Sequence, residues 1–286
     1  KQYDAALECF QRAVALKPDF VQAHVNLGAV RQDQKEFDAA IAHYRQALAL
    51  DPASPDALAG IGSNLQMQGN SMEALGYHRR AIEIDPDHRL AHYGLAAALH
   101  AERQDDEALR HYAEAIRIKP DYAEAHYNRS FVWLSRGDFE PGFRDYEWRF
   151  RCKEYKGRRF DAPTWNGEPL AGRTLLIHAE QGLGDTLHFI RYVRLVERLG
   201  GKLIVEVQPA LVPLLRDSGF SVIAGGSPLP RYDLHVALLS LPRALRTTLE
   251  TVPDEVPYLS ADPRLLKSWR QQLRRYEGMK VGLVWQ

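Results

Sequence analysis

Small and apolar residues recur at a fixed interval over the first half of the chain. Residues 21–54, 55–88 and 89–122 align without gaps as three blocks of 34. In register, alanine recurs at Ala40, Ala74 and Ala108 and again at Ala47, Ala81 and Ala115, and proline recurs at Pro52, Pro86 and Pro120. Such a period predicts a helix–turn–helix solenoid, because a single hairpin cannot bury its apolar stripe alone and must stack on its neighbours.

The sizes of the repeating residues fit closely packed helices. Gly28, Gly62 and Ala96 share one repeat position, where a small residue lets paired helices approach each other. Tyr44 and Tyr112 are the large partners that we expect to pack across this seam. The blocks resemble tetratricopeptide repeats, which are helical hairpins of this length.

The predicted repeat domain covers residues 1–156. It begins with a partial repeat at residues 3–20, continues with the three full blocks and ends with a degenerate repeat at residues 123–156. In that last repeat Gly142 and Arg149 replace the two repeating alanines. A terminal repeat is expected to be atypical, since one of its faces does not meet another repeat.

The tetratricopeptide resemblance implies a concave groove lined by the first helix of each pair, and hence a protein or peptide partner. The residues expected to line it are Gln22, Asn26, Gln66, Tyr93, His100, Tyr127 and Asn128. Asn26 and Asn128 stand at positions equivalent to an asparagine ladder in O-linked N-acetylglucosamine transferases, but Gly60 and Gly94 interrupt that ladder here. The alternative for the array is a solvated, rigid spacer.

Neither the histidines nor the cysteines predict a metal site. His24, His92 and His126 share one repeat position, and residues a whole repeat apart lie too far from one another to share an ion. Packing is therefore the preferred interpretation. Cys9 and Cys152, the two cysteines, have neither metal-type spacing nor a disulfide framework.

The overall charge and hydropathy narrow the class of protein. Lys plus Arg (37) equals Asp plus Glu (37), so no net field attracts nucleic acid. No apolar run is long enough for a membrane span, and the first residues lack the apolar stretch of a signal peptide. We therefore expect a soluble, cytoplasmic protein.

The pattern changes after residue 150. Residues 151–173 are rich in Pro and Gly and predict a connecting segment. Strands predicted at 174–179, 202–207, 220–223 and 233–236 then alternate with helices at 185–199, 209–217, 239–247 and 263–276. This alternation predicts a Rossmann-like parallel-sheet domain over residues 157–279. A last apolar strand at 280–285 predicts the start of a second such domain at 280–286.

The turn after the first predicted strand carries the candidate chemistry. It contains Glu180, Gln181, Gly182, Gly184 and Asp185, with His188 one helical turn further on. As a dinucleotide fingerprint the turn is poor, because Leu187 stands in place of the third glycine. The alternative to a chemical role for Asp185 is that it caps the following helix, since aspartate is common where helices begin.

Residues 175–193 resemble the N-terminal half of the heptosyltransferase family, which belongs to glycosyltransferase family 9. These are inverting enzymes of GT-B fold. The resemblance implies that Asp185 is the general base and that Gly184 is a close-approach glycine. From the chemistry of the turn itself, the backbone amides of Gly182–Gly184 can hold a sugar or phosphate oxygen. The remaining candidates for binding acceptor or phosphate are His188, Glu180 and Gln181. The resemblance also implies a nucleotide-sugar donor as substrate, with neither a metal nor a cofactor. Bacterial proteins that join tetratricopeptide repeats to such a domain have the same order along the chain.

These patterns leave two functions open. The first is a glycosyltransferase in which the repeats bind a protein or glycan partner and the α/β half-domain forms the acceptor side of the cleft. The second is a non-catalytic interaction scaffold with a degenerate glycosyltransferase-like domain. Because the donor half of a GT-B enzyme would follow residue 286, we expect these residues alone to be inactive.

Overall fold

A computed structural model describes residues 2–278 and divides the chain into two compact units, Lys1–Tyr155 and Lys156–Gln286. The strand and second domain predicted at residues 280–286 lie outside the described residues. The first unit is entirely helical, and the second contains a parallel sheet.

The first unit is a solenoid of helical hairpins. Its helices are α1 (Gln2–Leu16), α2 (Val21–Asp33), α3 (Phe37–Leu50), α4 (Pro55–Met67), α5 (Ser71–Ile84), α6 (Arg89–Ala101), α7 (Asp105–Ile118), α8 (Ala123–Ser135) and α9 (Phe139–Tyr146). The first helices of the pairs begin at residues 21, 55, 89 and 123, and the second helices begin at 37, 71, 105 and 139. Every interval is 34 residues, which confirms the predicted period and the predicted repeats.

The core of the solenoid is built from alanines around one large side chain per repeat. The two repeating alanine positions are fully buried in the three full repeats. Tyr44, His78 and Tyr112 share the next repeat position and are buried as well. The expected packing of large residues against small ones is confirmed, and in the second full repeat the large residue is a histidine.

The repeating histidines hold the turns between hairpins. The Nε2 atoms of His24, His92 and His126 each donate to a proline carbonyl six residues earlier, at 3.1, 2.9 and 3.1 Å respectively. Since a carbonyl can only accept, Nε2 carries the proton in all three rings. Among residues 2–278, no cluster of His, Cys, Asp or Glu has the arrangement of a metal site.

The last repeat closes the array with aromatic and charged side chains. Helix α9 is only eight residues long and continues as a 3₁₀ turn, Glu147–Arg151. Trp148 stacks on His126 with ring centroids 3.9 Å apart. Arg149, at the former alanine position, is buried with its guanidinium over the rings of Tyr146 and Phe150. These contacts cover the apolar end of the stack.

The second unit is organised around four parallel strands. They are β1 (Thr174–His178), β2 (Lys202–Val207), β3 (Val222–Ala224) and β4 (Leu234–Ala237), arranged in the order β3-β2-β1-β4. Strand β1 lies between β2 and β4, and its Leu175, Leu176 and Ile177 are fully buried. The predicted alternation of strands and helices is thereby confirmed as a small parallel sheet.

The helices between the strands are shorter than predicted. They are α10 (Leu183–Phe189), α11 (Val193–Glu197), α12 (Val212–Asp217), α13 (Leu241–Ala244) and α14 (Pro263–Leu273), with 3₁₀ turns at Ile190–Tyr192, Pro209–Leu211, Leu238–Ser240 and Leu249–Thr251. The helix predicted at 185–199 is thus two helices joined by a tighter turn. In a 3₁₀ turn residues three apart eclipse each other, which places Ile190 and Val193 together in the core.

The segment before β1 belongs to the second unit. Trp165 and Leu170 are fully buried, the Trp165 amide donates to the His235 carbonyl at 2.8 Å, and the His235 amide donates to the Pro163 carbonyl at 3.1 Å. Residues 163–165 therefore cover the outer edge of β4, which would otherwise expose unpaired backbone groups. The predicted connecting segment, residues 151–173, is therefore folded into the second unit at residues 163–165.

Candidate functional sites in the groove and at the sheet edge

The repeat unit contains an open cavity of about 680 Å³. Helices α2, α4, α6 and α8 provide most of its wall, as expected for the first helices of the pairs. The lining residues are Val25, Ala29, Gln32, Asp33, Tyr44, Asp56, Ala59, Gly60, Ser63, Gln66, Met67, Arg89, Leu90, Tyr93, Gly94, Ala97, Lys119, Tyr122, Glu124, Asn128, Lys153 and Glu154. We call this cavity the groove.

Three of the seven predicted groove residues line the cavity: Gln66, Tyr93 and Asn128. The other four do not line it, although each stands at a repeat position that lines the cavity in another repeat. Gln22 Nε2 donates to Asn26 Oδ1 at 3.2 Å, and His100 Nδ1 lies 2.8 Å from Asp105 Oδ1. Tyr127 packs against Phe131 and Tyr146.

Much of the amide hydrogen bonding in the groove is already used within the array. Gln66 Nε2 donates to the Gly94 carbonyl at 3.1 Å, and Gln66 Oε1 lies 3.0 Å from His78 Nε2. Asn128 Nδ2 donates to the Tyr93 hydroxyl at 2.6 Å. These contacts hold the amides in fixed orientations, so the wall is preorganised rather than flexible.

The glycines that interrupt the asparagine positions have a packing role. A Cβ on Gly60 would lie 2.4 Å from Tyr44 Cζ, and one on Gly94 would lie 2.3 Å from His78 Cε1. Neither position can hold an asparagine while a ring from the preceding hairpin fills the space. Gly60 and Gly94 therefore leave only backbone in the groove wall at these positions, beside the ring of Tyr44.

Charges in the groove wall are separated along the array. The first two full repeats contribute Asp33 and Asp56, and the third contributes Arg89 and Lys119. The last repeat contributes charges of both signs, from Glu124, Lys153 and Glu154. The hydrogen bond from His88 Nε2, at 3.0 Å, lowers the pKa of Asp56 and keeps that side chain anionic at neutral pH.

Five lining residues lie outside the first helices and were not predicted. Tyr44 belongs to the second helix α3, Lys119 and Tyr122 stand in the turn between α7 and α8, and Lys153 and Glu154 follow the last 3₁₀ turn. Tyr122 packs against Tyr93 with ring centroids 5.2 Å apart, and burial raises the pKa of Tyr93 to about 12. Both tyrosines are thus neutral at physiological pH, because burial also raises the pKa of Tyr122.

The second candidate site is the turn that follows β1. Glu180 and Gln181 are partly buried, whereas Gly182, Gly184, Asp185 and His188 are exposed. The Gly182 amide donates to Asp185 Oδ2 at 3.0 Å, so the carboxylate caps helix α10. The turn thus brings the six predicted site residues to one edge of the sheet.

Gln208, at the carboxyl end of β2, holds this turn in place. Its Nε2 donates to the Gln181 carbonyl at 2.7 Å and lies 3.4 Å from the Gly182 carbonyl. Its Oε1 accepts from the Thr186 hydroxyl at 2.9 Å. Sequence reasoning missed Gln208, which stands 23 residues after Asp185 and has no motif around it.

His188 is bound to a neighbouring arginine rather than to Asp185. Arg191 Nη2 lies 3.1 Å from His188 Nδ1, and its Nη1 donates to the Pro253 carbonyl at 3.0 Å. Desolvation, followed by the nearby Arg191 charge, lowers the pKa of His188, so the ring is neutral at pH 7.

The two glycines of the turn are not required by the backbone. Neither Gly182 nor Gly184 has a positive φ, and a Cβ on Gly184 would meet no atom within 4 Å. The open space beside Gly184 faces outward from the turn.

Within residues 2–278, no helix combines the length and apolarity that crossing a bilayer requires.

Comparisons with known proteins agree with the helical repeats. Residues 1–55 match a family model described as "Tetratricopeptide repeat", and residues 103–134 match one described as "TPR repeat". With the 34-residue interval between helices, these matches show that the first unit is made of tetratricopeptide repeats.

The chain is also similar to one curated protein and to several solved structures. Over 180 residues it is 31% identical to Protein FlbA of Caulobacter vibrioides, a stretch that covers 55% of this chain and 30% of FlbA. A crystal structure of MamA is 21% identical, with a TM-score of 0.44 over 52% of this chain and 87% of that one. A tetratricopeptide protein of Thermus thermophilus is 19% identical, with a TM-score of 0.47 over 54% of this chain and 84% of that one.

Proposed function

We propose that the repeats bind an extended segment of a partner protein in the groove. The observation that supports this most directly is the open cavity of about 680 Å³, whose wall is formed by equivalent positions of successive repeats. Such a wall offers regularly spaced contacts to a chain that is itself regularly spaced. The alternative of a rigid spacer does not account for apolar side chains left exposed in the same wall.

Two of those side chains are Met67 and Leu90, which are 65% and 42% exposed and lie on neighbouring repeats. Methionine is adaptable and suits apolar side chains of varied shape. The preorganised amides of Gln66 and Asn128 lower the entropy cost of binding a peptide backbone beside these apolar contacts.

The experiment is a selection of peptides from an unbiased library on the chain, followed by affinity measurements with matched variants. Met67→Glu should weaken binding at least tenfold, since it places a charge in the apolar wall. Met72→Glu is the control, because Met72 is also 65% exposed but does not line the groove. Equal affinities of the two variants would show that the peptides bind elsewhere.

A second candidate function concerns the sheet edge. We propose that the second unit is Rossmann-like and forms the acceptor side of an inverting, metal-independent glycosyltransferase cleft of GT-B type. What supports it is the strand order β3-β2-β1-β4, in which the chain leaves β1 in one direction and returns to its other side. Ligands of open parallel sheets bind at the carboxyl ends of the strands where the order reverses, and the turn at residues 180–185 lies there.

In this proposal Asp185 accepts the proton of the acceptor hydroxyl as that oxygen attacks the anomeric carbon of a nucleotide sugar. The bond from that carbon to the diphosphate oxygen breaks in the same step, and the nucleotide diphosphate leaves. Its exposed carboxylate is reachable, and Gln208 fixes the turn that carries it. The space beside Gly184 would admit the acceptor or a phosphate oxygen close to the backbone, with His188, Glu180 and Gln181 at its border. The stretch similar to FlbA covers 30% of that protein, so glycosyltransferase activity of a whole protein that contains this chain is also a proposal.

Asp185→Asn tests this second candidate in the full-length protein. Asparagine keeps an oxygen that can accept from the Gly182 amide but cannot act as a base, so the cap survives while the chemistry is lost. We expect nucleotide-sugar binding by calorimetry to be unchanged and sugar transfer to fall at least a hundredfold. A protein that binds no nucleotide sugar would favour the non-catalytic scaffold, with the groove as its functional site.

A further inference from the structure

Helix α14 leaves an apolar stripe uncovered. Leu265, Leu266 and Trp269 are 58%, 42% and 57% exposed, and the helix buries no residue at all among those described. Leu273 is partly buried at its end. With 3.6 residues per turn, these four side chains fall within about 100° of the helix circumference, so they form one continuous stripe.

The opposite side of the same helix, together with the residues that follow Leu273, is strongly cationic. Residues 263–276 contain five cations and no acidic residue, in a chain whose net charge is zero. The cations are Arg264, Lys267, Arg270, Arg274 and Arg275. Within residues 2–278, none of these five side chains forms an ion pair. They are therefore available to an anionic partner.

We propose that α14 is an interfacial helix that lies on anionic lipid membranes. An amphipathic helix with Lys and Arg on its polar face and Trp and Leu on the other lies in the plane of the interface, with its apolar face below the headgroups. Trp269, in the middle of the stripe, suits this position because its indole is apolar with one polar N–H.

The charge pattern favours lipid over a second copy of the chain. Two copies meeting through the stripes of α14 would leave ten cations on one assembly without anionic partners, since residues 263–276 contain no acidic residue. An anionic bilayer instead satisfies both the stripe and the cations of the polar face. Arg270, next to Leu266 on the helix surface, can extend its charged end to the headgroups while its stem follows the stripe.

The test is cosedimentation of the 286-residue chain with vesicles. We expect the chain to pellet with equimolar phosphatidylcholine and phosphatidylglycerol, to remain in solution with phosphatidylcholine alone, and to be released by salt. Each cation near such a surface contributes about fivefold to the partition coefficient. Arg264→Gln with Arg270→Gln should therefore reduce partitioning about 25-fold.

Two further variants separate the contributions. Trp269→Gln removes the apolar anchor without changing charge and should also reduce partitioning. Arg45→Gln with Arg231→Gln removes two exposed cations outside α14 and should leave partitioning unchanged.

The proposal is overturned by any of three results. The chain could fail to bind anionic vesicles, or the Arg45/Arg231 variant could lose as much binding as the α14 variant. The third is that the chain binds itself, in a concentration-dependent way, or binds polyglutamate instead of vesicles, and that Trp269→Gln abolishes this binding. Such a result would assign the stripe to a protein partner.

Discussion

The ring of Tyr44 lies against Gly60, at the place that any side chain on residue 60 would need. A Cβ on Gly60 would be 2.4 Å from Tyr44 Cζ, although the two residues belong to different hairpins. His78 and Gly94 repeat this relationship one period later. Both contacts pack successive repeats together, and Tyr44, Gly60 and Gly94 also line the groove, so stability and binding depend on shared residues.

Gly60→Ala is expected to destabilise the repeat unit by about 1–3 kcal/mol, because the added methyl group overpacks a buried seam. Gly76→Ala is the matched control: Gly76 is an exposed glycine in α5, and a Cβ there meets no atom within 4 Å. It should stabilise the unit by about 0.5–1 kcal/mol through helix propensity. Urea unfolding followed by far-UV circular dichroism measures both, and an equal effect of the two substitutions would contradict this packing.

His78 should make the repeats sensitive to acid. Burial lowers the pKa of His78 to about 4, from an ordinary value of 6.5. Above pH 6.5 the ring is neutral in both folded and unfolded chains, so it causes no pH dependence. As the pH falls from 6.5 to 4 the unfolded chain binds a proton that the folded chain excludes, and the free energy of unfolding should drop by about 3 kcal/mol.

His78→Tyr isolates this effect. Tyr44 occupies the equivalent position between Gly28 and Gly60, as His78 lies between Gly62 and Gly94, so a tyrosine should be accommodated. The difference in unfolding free energy between wild type and variant should change by about 3 kcal/mol between pH 6.5 and pH 4 and stay constant above pH 6.5. A constant difference over the whole range would show that the folded repeats admit the proton at residue 78.

Gln208→Leu should loosen the turn at the sheet edge. The substitution removes the hydrogen bonds to Gln181 and Thr186 and is expected to cost about 1–3 kcal/mol of stability. Hydrogen exchange should accelerate first at residues 181–186. Gln271→Leu, at an exposed position of α14, is the control and should leave exchange in the turn unchanged.

The sequence alone predicted the parts of the structure that repeat. The 34-residue period placed every full repeat, and it put Gln66, Tyr93 and Asn128 in the groove because equivalent residues share a face of the solenoid. It also predicted a structural role for His92, whose ring holds the turn at Pro86.

What the sequence did not predict depends on contacts between distant residues. The need for glycine at residue 60 comes from Tyr44 on another hairpin, and Gln208 reaches the turn from the next strand. Lys119 and Tyr122 line the groove from a connecting turn, where no helical periodicity marks them. The break between α10 and α11 at Ile190–Tyr192 likewise follows from packing on the sheet. No Pro or Gly marks this break in the sequence.

The central claim is that the groove holds an extended protein segment, and a hydrogen-exchange footprint of a library-selected peptide tests it most directly. The claim predicts slower exchange in α4, α6 and α8, with no change in α5 and α7 and with the effect lost in Met67→Glu but kept in Met72→Glu. Protection confined to α5 and α7, or to the second unit, would contradict it.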